Sequence, residues 1–209
     1  VGDGVVTGQV RGGLGNDTLT GGNNADYLDG GVGNDRLYGR GGDDDLRAGE
    51  GADFVAAGTG DDQVLGDDGA DKIFGGAGDD TLQGGRDQDT IRGGDGEDEI
   101  NGGRLADVLR GGAGADTFLY TVKQDSSTGA SDTIQDFEVG IDVIDLSAVA
   151  SGLTFVGTAA FSGTGNEVRY DIDGSGKTYI QVDTDANGSA DMRIWLTDVG
   201  ALSEDDFVL

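Results

Sequence analysis

Gly30-Gly31-Val32-Gly33-Asn34-Asp35-Arg36-Leu37-Tyr38 is one copy of a nine-residue unit, and Gly75-Gly76-Ala77-Gly78-Asp79-Asp80-Thr81-Leu82-Gln83 is another. Twelve copies follow one another without a slip from Gly12 to Leu119. The sixth position is always aspartate: Asp17, Asp26, Asp35, Asp44, Asp53, Asp62, Asp71, Asp80, Asp89, Asp98, Asp107 and Asp116. The eighth is always a large apolar residue: Leu19, Leu28, Leu37, Leu46, Val55, Val64, Ile73, Leu82, Ile91, Ile100, Leu109 and Phe118. A solvated low-complexity linker has no use for a hydrophobe every nine residues, so the period specifies a repeating structural unit.

Each unit reads as a glycine-rich loop of six residues and a strand of three. Glycine lets the backbone turn with positive φ and brings carbonyls close together. A short strand points its middle side chain to one face and its neighbours to the other, so the apolar residue faces inward. Two strands, one on each side, make a coil of two units around a thin core. One buried side chain per nine residues is a small return for ordering so much glycine-rich backbone. Stacked aspartates also repel one another. The pattern therefore implies a bound cation, without which the repeats are disordered.

The chain has 209 residues, 41 acidic and 13 basic, with a formal net charge of -28. Such a surface repels nucleic acid and anionic membranes and draws cations. Cysteine and histidine are absent, which excludes disulfides, thiol chemistry and every histidine-dependent catalytic or zinc constellation. Only carboxylates could act as catalysts, so the chain reads as a non-catalytic region. Its one methionine is Met192, and the expectation is the C-terminal part of a longer protein. The longest uncharged run, Leu146 to Asn166, is broken up by Gly, Ser and Thr and is not a membrane span.

The repeat G-G-x-G-x-D-x-U-x resembles the calcium-binding nonapeptide of RTX proteins. That resemblance implies an all-β chain with a right-handed parallel β-roll and about ten Ca²⁺ ions between loops n and n+2. The position-six aspartates and loop carbonyls would be the ligands, an oxygen shell suited to that ion. After Leu119 the period stops. The stretch Asp132-Thr-Ile-Gln-Asp136-Phe137-Glu-Val-Gly140-Ile-Asp142-Val-Ile-Asp145-Leu-Ser147 is similar to the segment that follows the repeats in serralysin-type secreted metalloproteases. The resemblance implies a C-terminal β-sandwich-like cap ending in an uncleaved secretion signal, here Asp206-Phe207-Val208-Leu209. The expected organisation is residues 1–11 as a degenerate first rung or linker, 12–119 as the roll, and 120–209 as the cap and secretion domain. In the first segment Val10 holds the apolar place and Gly8 the aspartate place.

Departures from the pattern carry further expectations. The fourth position is Asn24, Asp87 and Leu105 instead of glycine in repeats two, nine and eleven. Asn tolerates the left-handed region, so repeat two should keep the loop. Repeats nine and eleven also carry Arg86, Arg92, Arg104 and Arg110, which raises two readings. Either guanidinium charge partly replaces a calcium ion between Asp89 and Asp107, or these are ordinary surface arginines. Phe54 and Phe74 point outward, as an apolar patch for another domain or as isolated aromatics. Asp183-Thr-Asp185-Ala-Asn187-Gly188-Ser-Ala-Asp191 matches the start of an EF-hand-like loop, with Asp183, Asp185, Asn187 and Asp191 as candidate calcium ligands. Ile194 stands where that loop needs glutamate, and a polar hairpin turn is the alternative. Asp171 to Gly176 reads as a turn only.

The functional expectation is a calcium-dependent folding and secretion module of an extracellular bacterial protein. Its partners would be calcium, a type I ABC exporter engaged through the C-terminus, and an upstream domain, the chain being a monomer. The alternative is a surface- or polysaccharide-binding module, with the four arginines as the candidate contact.

Overall fold

The computed structural model describes residues 9–209; residues 1–8 of the expected first rung lie outside the described part. Strands follow in chain order as β1 (Gln9–Leu14), β2 (Thr18–Thr20), β3 (Tyr27–Val32), β4 (Arg36–Gly41), β5 (Asp45–Glu50), β6 (Phe54–Thr59) and β7 (Gln63–Asp68). Next come β8 (Lys72–Ala77), β9 (Thr81–Arg86), β10 (Thr90–Asp95), β11 (Glu99–Gly103), β12 (Val108–Ala113) and β13 (Thr117–Leu119). The remainder holds β14 (Thr133–Ile134), β15 (Val143–Asp145), β16 (Thr154–Phe155), β17 (Glu167–Ile172), β18 (Thr178–Asp183), β19 (Met192–Leu196), one 3-10 turn (Glu204–Asp206) and β20 (Phe207–Val208).

The chain is a parallel β-solenoid. Odd-numbered strands from β1 to β13 form one sheet and even-numbered strands from β2 to β14 the other. Leu28 pairs with Leu46 and Leu37 with Val55, so each coil is two nonapeptides. The position-eight residues from Leu28 to Phe118 are almost completely buried in single file, and Val10 of the degenerate rung pairs with Leu28. Strands are longer than the sequence implied. Most run six residues, through positions seven to nine and on into the next unit's first three. The ladder survives there because glycine permits close backbone approach: a Cβ on Gly58 (φ 130°) would collide with the Arg40 carbonyl. Only positions four to six remain as loop.

Beyond Leu119 the same two sheets continue. β14 stacks on β12 and β15 on β13, with 25 or 26 residues per coil in place of 18. β19 then adds in parallel to β14, and β18 and β17 follow antiparallel. β20 closes the odd-numbered sheet beside β15. Phe155 of β16 and Phe207 of β20 meet at 5.2 Å, bringing the last edges of the two sheets together. The two-layered cap is thus an extension of the roll, with a broader core that includes Val168, Ile180, Val182, Ile194 and Leu196.

Candidate metal centre

Coiling by 18 residues stacks the position-six aspartates into two columns. In the first, the Asp17 N–H donates to Asp35 Oδ1 at 2.7 Å, Asp35 to Asp53 at 2.6 Å, and so on through Asp71 and Asp89 to Asp107. The second runs from Asp26 through Asp44, Asp62, Asp80 and Asp98 to Asp116. Every sequence-predicted aspartate of the roll is brought into one of these ladders.

Each Oδ1 from Asp35 to Asp116 therefore has a partner, but most Oδ2 atoms do not. Those of Asp17, Asp35, Asp44, Asp53, Asp62, Asp71, Asp80, Asp89, Asp98, Asp107, Asp116 and Asp132 are buried with no hydrogen-bond donor. Buried polar atoms are normally satisfied, and orphaned carboxylate oxygens are costly. Burial accordingly pushes Asp44 and Asp116 up to about 6, Asp71, Asp80 and Asp107 to about 7, and Asp89 to about 8. Backbone N–H groups pull the other way, and neighbouring aspartates add to the rise.

The orphan oxygens share their surroundings with carbonyls. A Cβ on Gly30 would lie 2.5 Å from both Asp35 Oδ2 and the Ala48 carbonyl, so position-one glycine leaves a cradle where two oxygens converge. Hard oxygen donors without competing N–H groups suit Ca²⁺. Ala48 and Ala57 occupy the position-one place in repeats five and six, with both side chains fully buried.

The ladder does not stop with the period. The Asp107 N–H donates to Asp132 Oδ1 at 2.9 Å, and the Asp116 N–H to Asp142 Oδ1 at 3.0 Å. Asp132 is pushed up to about 9, by burial first and then by Asp107. Asp125 acts on both Asp107 and Asp132 through its charge. The sequence analysis missed Asp132 and Asp142 as continuations of the columns, and Asp125, whose Oδ2 accepts the Thr121 and Val122 N–H groups, as a charged neighbour of Asp132. A signal existed for two of them: Asp132-Thr133-Ile134 and Asp142-Val143-Ile144 keep the D-x-U half of the repeat.

Two expectations about irregular loops change. Repeat two departs most: Gly22 and Asn24 do not take the positive φ found at these places in most other repeats, and Asp26 Oδ2 accepts the Gly22 N–H at 2.6 Å. Asn24 tolerates the left-handed region but does not use it. In repeats nine and eleven, Asp87 (φ 74°) and Leu105 (φ 78°) do adopt that conformation, and the Asp89–Asp107 rung stays intact at 2.8 Å. The loop backbone changes there instead. The Gly69 N–H reaches the Arg86 carbonyl at 3.4 Å, against 2.7 Å for the equivalent Gly51 bond. No guanidinium takes the place of an ion: both Oδ2 atoms are without a partner. Arg86 pairs with Asp68 at 3.1 Å, while Arg92 and Arg110 lie in register on the even-numbered sheet. The four arginines do not form one patch.

The whole chain, residues 1–209, matches the family described as Peptidase M10 serralysin C terminal. The chain belongs to that family. Serralysin A and Serralysin C of Dickeya chrysanthemi are each 37% identical over 95 residues, 44% of this chain and 20% of their own length. The serralysin match thus spans about a fifth of those proteins. Among solved structures, the AlgE6R2 subunit of the Azotobacter vinelandii mannuronan C5-epimerase is 28% identical, with a TM-score of 0.51 over 66% of this chain and 87% of that one. The AlgE6R3 subunit is 32% identical, with a TM-score of 0.49 over 76% and 78%. A secreted RTX-type β-roll module is the class that the family match and the AlgE6R2 likeness support.

The cap of this serralysin-family chain gathers a second acidic group. Asp183, Asp185 and Asp191 bring ligand oxygens within 4.8 Å of one another in the loop between β18 and β19. The fully buried Asp183 accepts N–H groups of Asp185, Asn187 and Gly188. Asp191 is held low, first by the Thr184 hydroxyl, with Lys123 at 3.6 Å. Asn187 turns away from the cluster, its Oδ1 accepting the Ser189 N–H. Asp173 makes a turn alone, bonding Ser175 and Lys177.

Proposed function

We propose that this chain is a calcium-dependent folding and export module. The observation that carries this reading is the set of twelve buried carboxylate oxygens without donors. Both columns would hold Ca²⁺ between successive rungs, with Asp132, whose Oδ2 is likewise without a donor, extending the ligand set into the cap. About ten ions would remove most of the -28 charge. Calcium supplies positive charge and oxygen coordination, while the chain supplies preset carboxylates and glycine loops. The role is structural and non-catalytic, with any catalysis residing in an upstream domain.

The C-terminus supports an export role that precedes folding. Asp206 is fully buried, accepts the Gly140 N–H and caps the 3-10 turn through Ser203. Phe207 is also buried, in the strand paired with β15. A type I exporter would read Asp206-Phe207-Val208-Leu209 while the chain is unfolded, in the low-calcium cytosol. Outside the cell, calcium would fold the chain as a monomer and withdraw that signal. The Asp183–Asp191 loop is proposed as a separate, weaker calcium site, with Asp183, Asp185 and Asp191 as ligands.

Calorimetric titration with calcium, followed by circular dichroism, tests the reading. Binding of several ions with a simultaneous gain of β-structure is expected; a chain that binds none contradicts it. Deleting residues 206–209 is expected to abolish export through a type I system. Undiminished export would remove the signal role while leaving calcium binding standing.

A further inference from the structure

The two outer faces of the roll differ in charge. On the even-numbered sheet, the side chains flanking each buried residue from β2 to β14 include Arg36, Lys72, Arg92 and Arg110 and no carboxylate. On the odd-numbered sheet the same places carry Asp29, Asp45 and Glu99, and the cations are neutralised: Arg11 by Asp29 at 3.5 Å and Arg47 by Asp67 at 2.6 Å. The side chains of Arg36 and Lys72 make no hydrogen bond or ion pair among the described residues. Arg110 donates to Gln135, and it and Arg92 stand near Asp136. A chain of charge -28 has kept one face basic.

That face is also aromatic. Tyr38, Phe54 and Phe74 form a row with ring centroids 5.8 and 5.5 Å apart. Arg36, Phe54 and Lys72 occupy the same place on the successive strands β4, β6 and β8, so the two cations stand roughly 10 Å apart with one ring between them. Beside them is a hollow of about 410 Å³ whose lining includes Asn16, Asn34, Asp35 and Asp53. Asn16 and Asn34 use Oδ1 to accept backbone N–H groups, leaving their amide hydrogens for a ligand.

We propose that this face binds an acidic polysaccharide, a linear chain of uronate sugars. Carboxylates would pair with Arg36 and Lys72, the C–H groups of a sugar would lie along the rims of the packed Tyr38–Phe54–Phe74 row, and hydroxyls would meet the asparagine amides. A protein partner is disfavoured because the cations are strung along the sheet rather than set around an apolar centre. A membrane surface is disfavoured because of the three rings only Phe74 is exposed, at 37%, too little apolar area to insert. Single-stranded nucleic acid needs open ring faces for its bases, whereas these rings pack against one another at 40–47°. The proposal rests on the calcium reading in one respect: ions held by Asp35 and Asp53 remove a repulsion beside the hollow.

The test is isothermal titration of the calcium-loaded chain with oligomannuronate, alongside neutral oligomannose, single-stranded DNA and anionic phosphatidylglycerol vesicles. Oligomannuronate is expected to bind, with Arg36→Gln/Lys72→Gln weakening it by about tenfold or more and Phe54→Leu weakening it less. Arg11→Gln/Arg47→Gln, on the opposite face, is expected to change it by less than about twofold. No binding to the unaltered chain, an equal loss in both double variants, or tighter binding of DNA or vesicles overturns the proposal. Circular dichroism of the same samples with and without calcium reports separately on the folding reading.

Discussion

The roll and the cap share two sheets, yet they are held together by different forces. In the roll one large apolar side chain per nonapeptide is buried, and every rung but that of Asp26 adds a carboxylate oxygen that nothing in the chain satisfies. In the cap, β17, β18 and β19 bury Val168, Tyr170, Ile180, Val182, Met192, Ile194 and Leu196 together, and the buried Asp142, Asp183 and Asp206 accept backbone N–H groups with both oxygens or one. On the calcium reading proposed above, the difference teaches that a parallel ladder with only a thin hydrophobic core is completed by an outside charge. The cap, with a core of its own, has less need of that charge.

The sharpest break between the two would come from removing one ladder aspartate. Asp62→Ala takes a ligand from two successive rungs of the second column. At a calcium concentration about 100 times the dissociation constant each site contributes roughly 2.7 kcal/mol, so about 5 kcal/mol should be lost. Calorimetry should count two fewer ions, whereas Asp183→Ala should cost one at most. Ile194→Ala, in the cap, should destabilise by about 2–5 kcal/mol through the cavity it leaves, with no change in ion count. Urea unfolding measures both.

Proton binding separates the regions next. Without metal, Asp44, Asp71, Asp80, Asp89, Asp107 and Asp116 hold protons more tightly when folded than when unfolded, because burial raises them from 3.8 to between about 6 and about 8. Their contribution to the ion-free roll is therefore full below about pH 4 and is lost as pH rises through that window. In calcium-free buffer the β-signal should grow as pH falls from about 8 to about 4. In calcium the trend should reverse, since protons compete for the same oxygens.

The period made the strands, the single-file core and both aspartate columns legible, because one coil is two units of the repeat. It also concealed things. Asp132 and Asp142 continue the columns after insertions that lengthen the coil, and counting by nines passes over them. Arg86 and Arg92 look like neighbours, but position three ends one sheet's strand and position nine lies in the other sheet. Asn24 looked harmless, yet its loop adopts another conformation and gives Asp26 a donor. Conversely, Leu105 looked disruptive, and the rung beneath it survives with a left-handed backbone.

The smallest expected effect follows from that last point. A non-glycine residue at positive φ stores roughly 1 kcal/mol, so Leu105→Gly or Asp87→Gly should recover about that much, less the entropy glycine adds to the unfolded chain. Calcium-loaded melting temperatures should rise slightly or stay level, and a clear fall would contradict the assigned loop geometry. Hydrogen exchange in calcium-free buffer would set the regions side by side, with amides of β17–β19 expected to be better protected than those of β4–β10.

The most direct measurement is far-ultraviolet circular dichroism with thermal melting in excess EGTA at neutral pH, repeated after calcium is restored. The account predicts a largely unstructured roll that gains parallel β-structure and a cooperative transition only when the ion returns. A chain that is already compact and melts cooperatively in the chelator would contradict it.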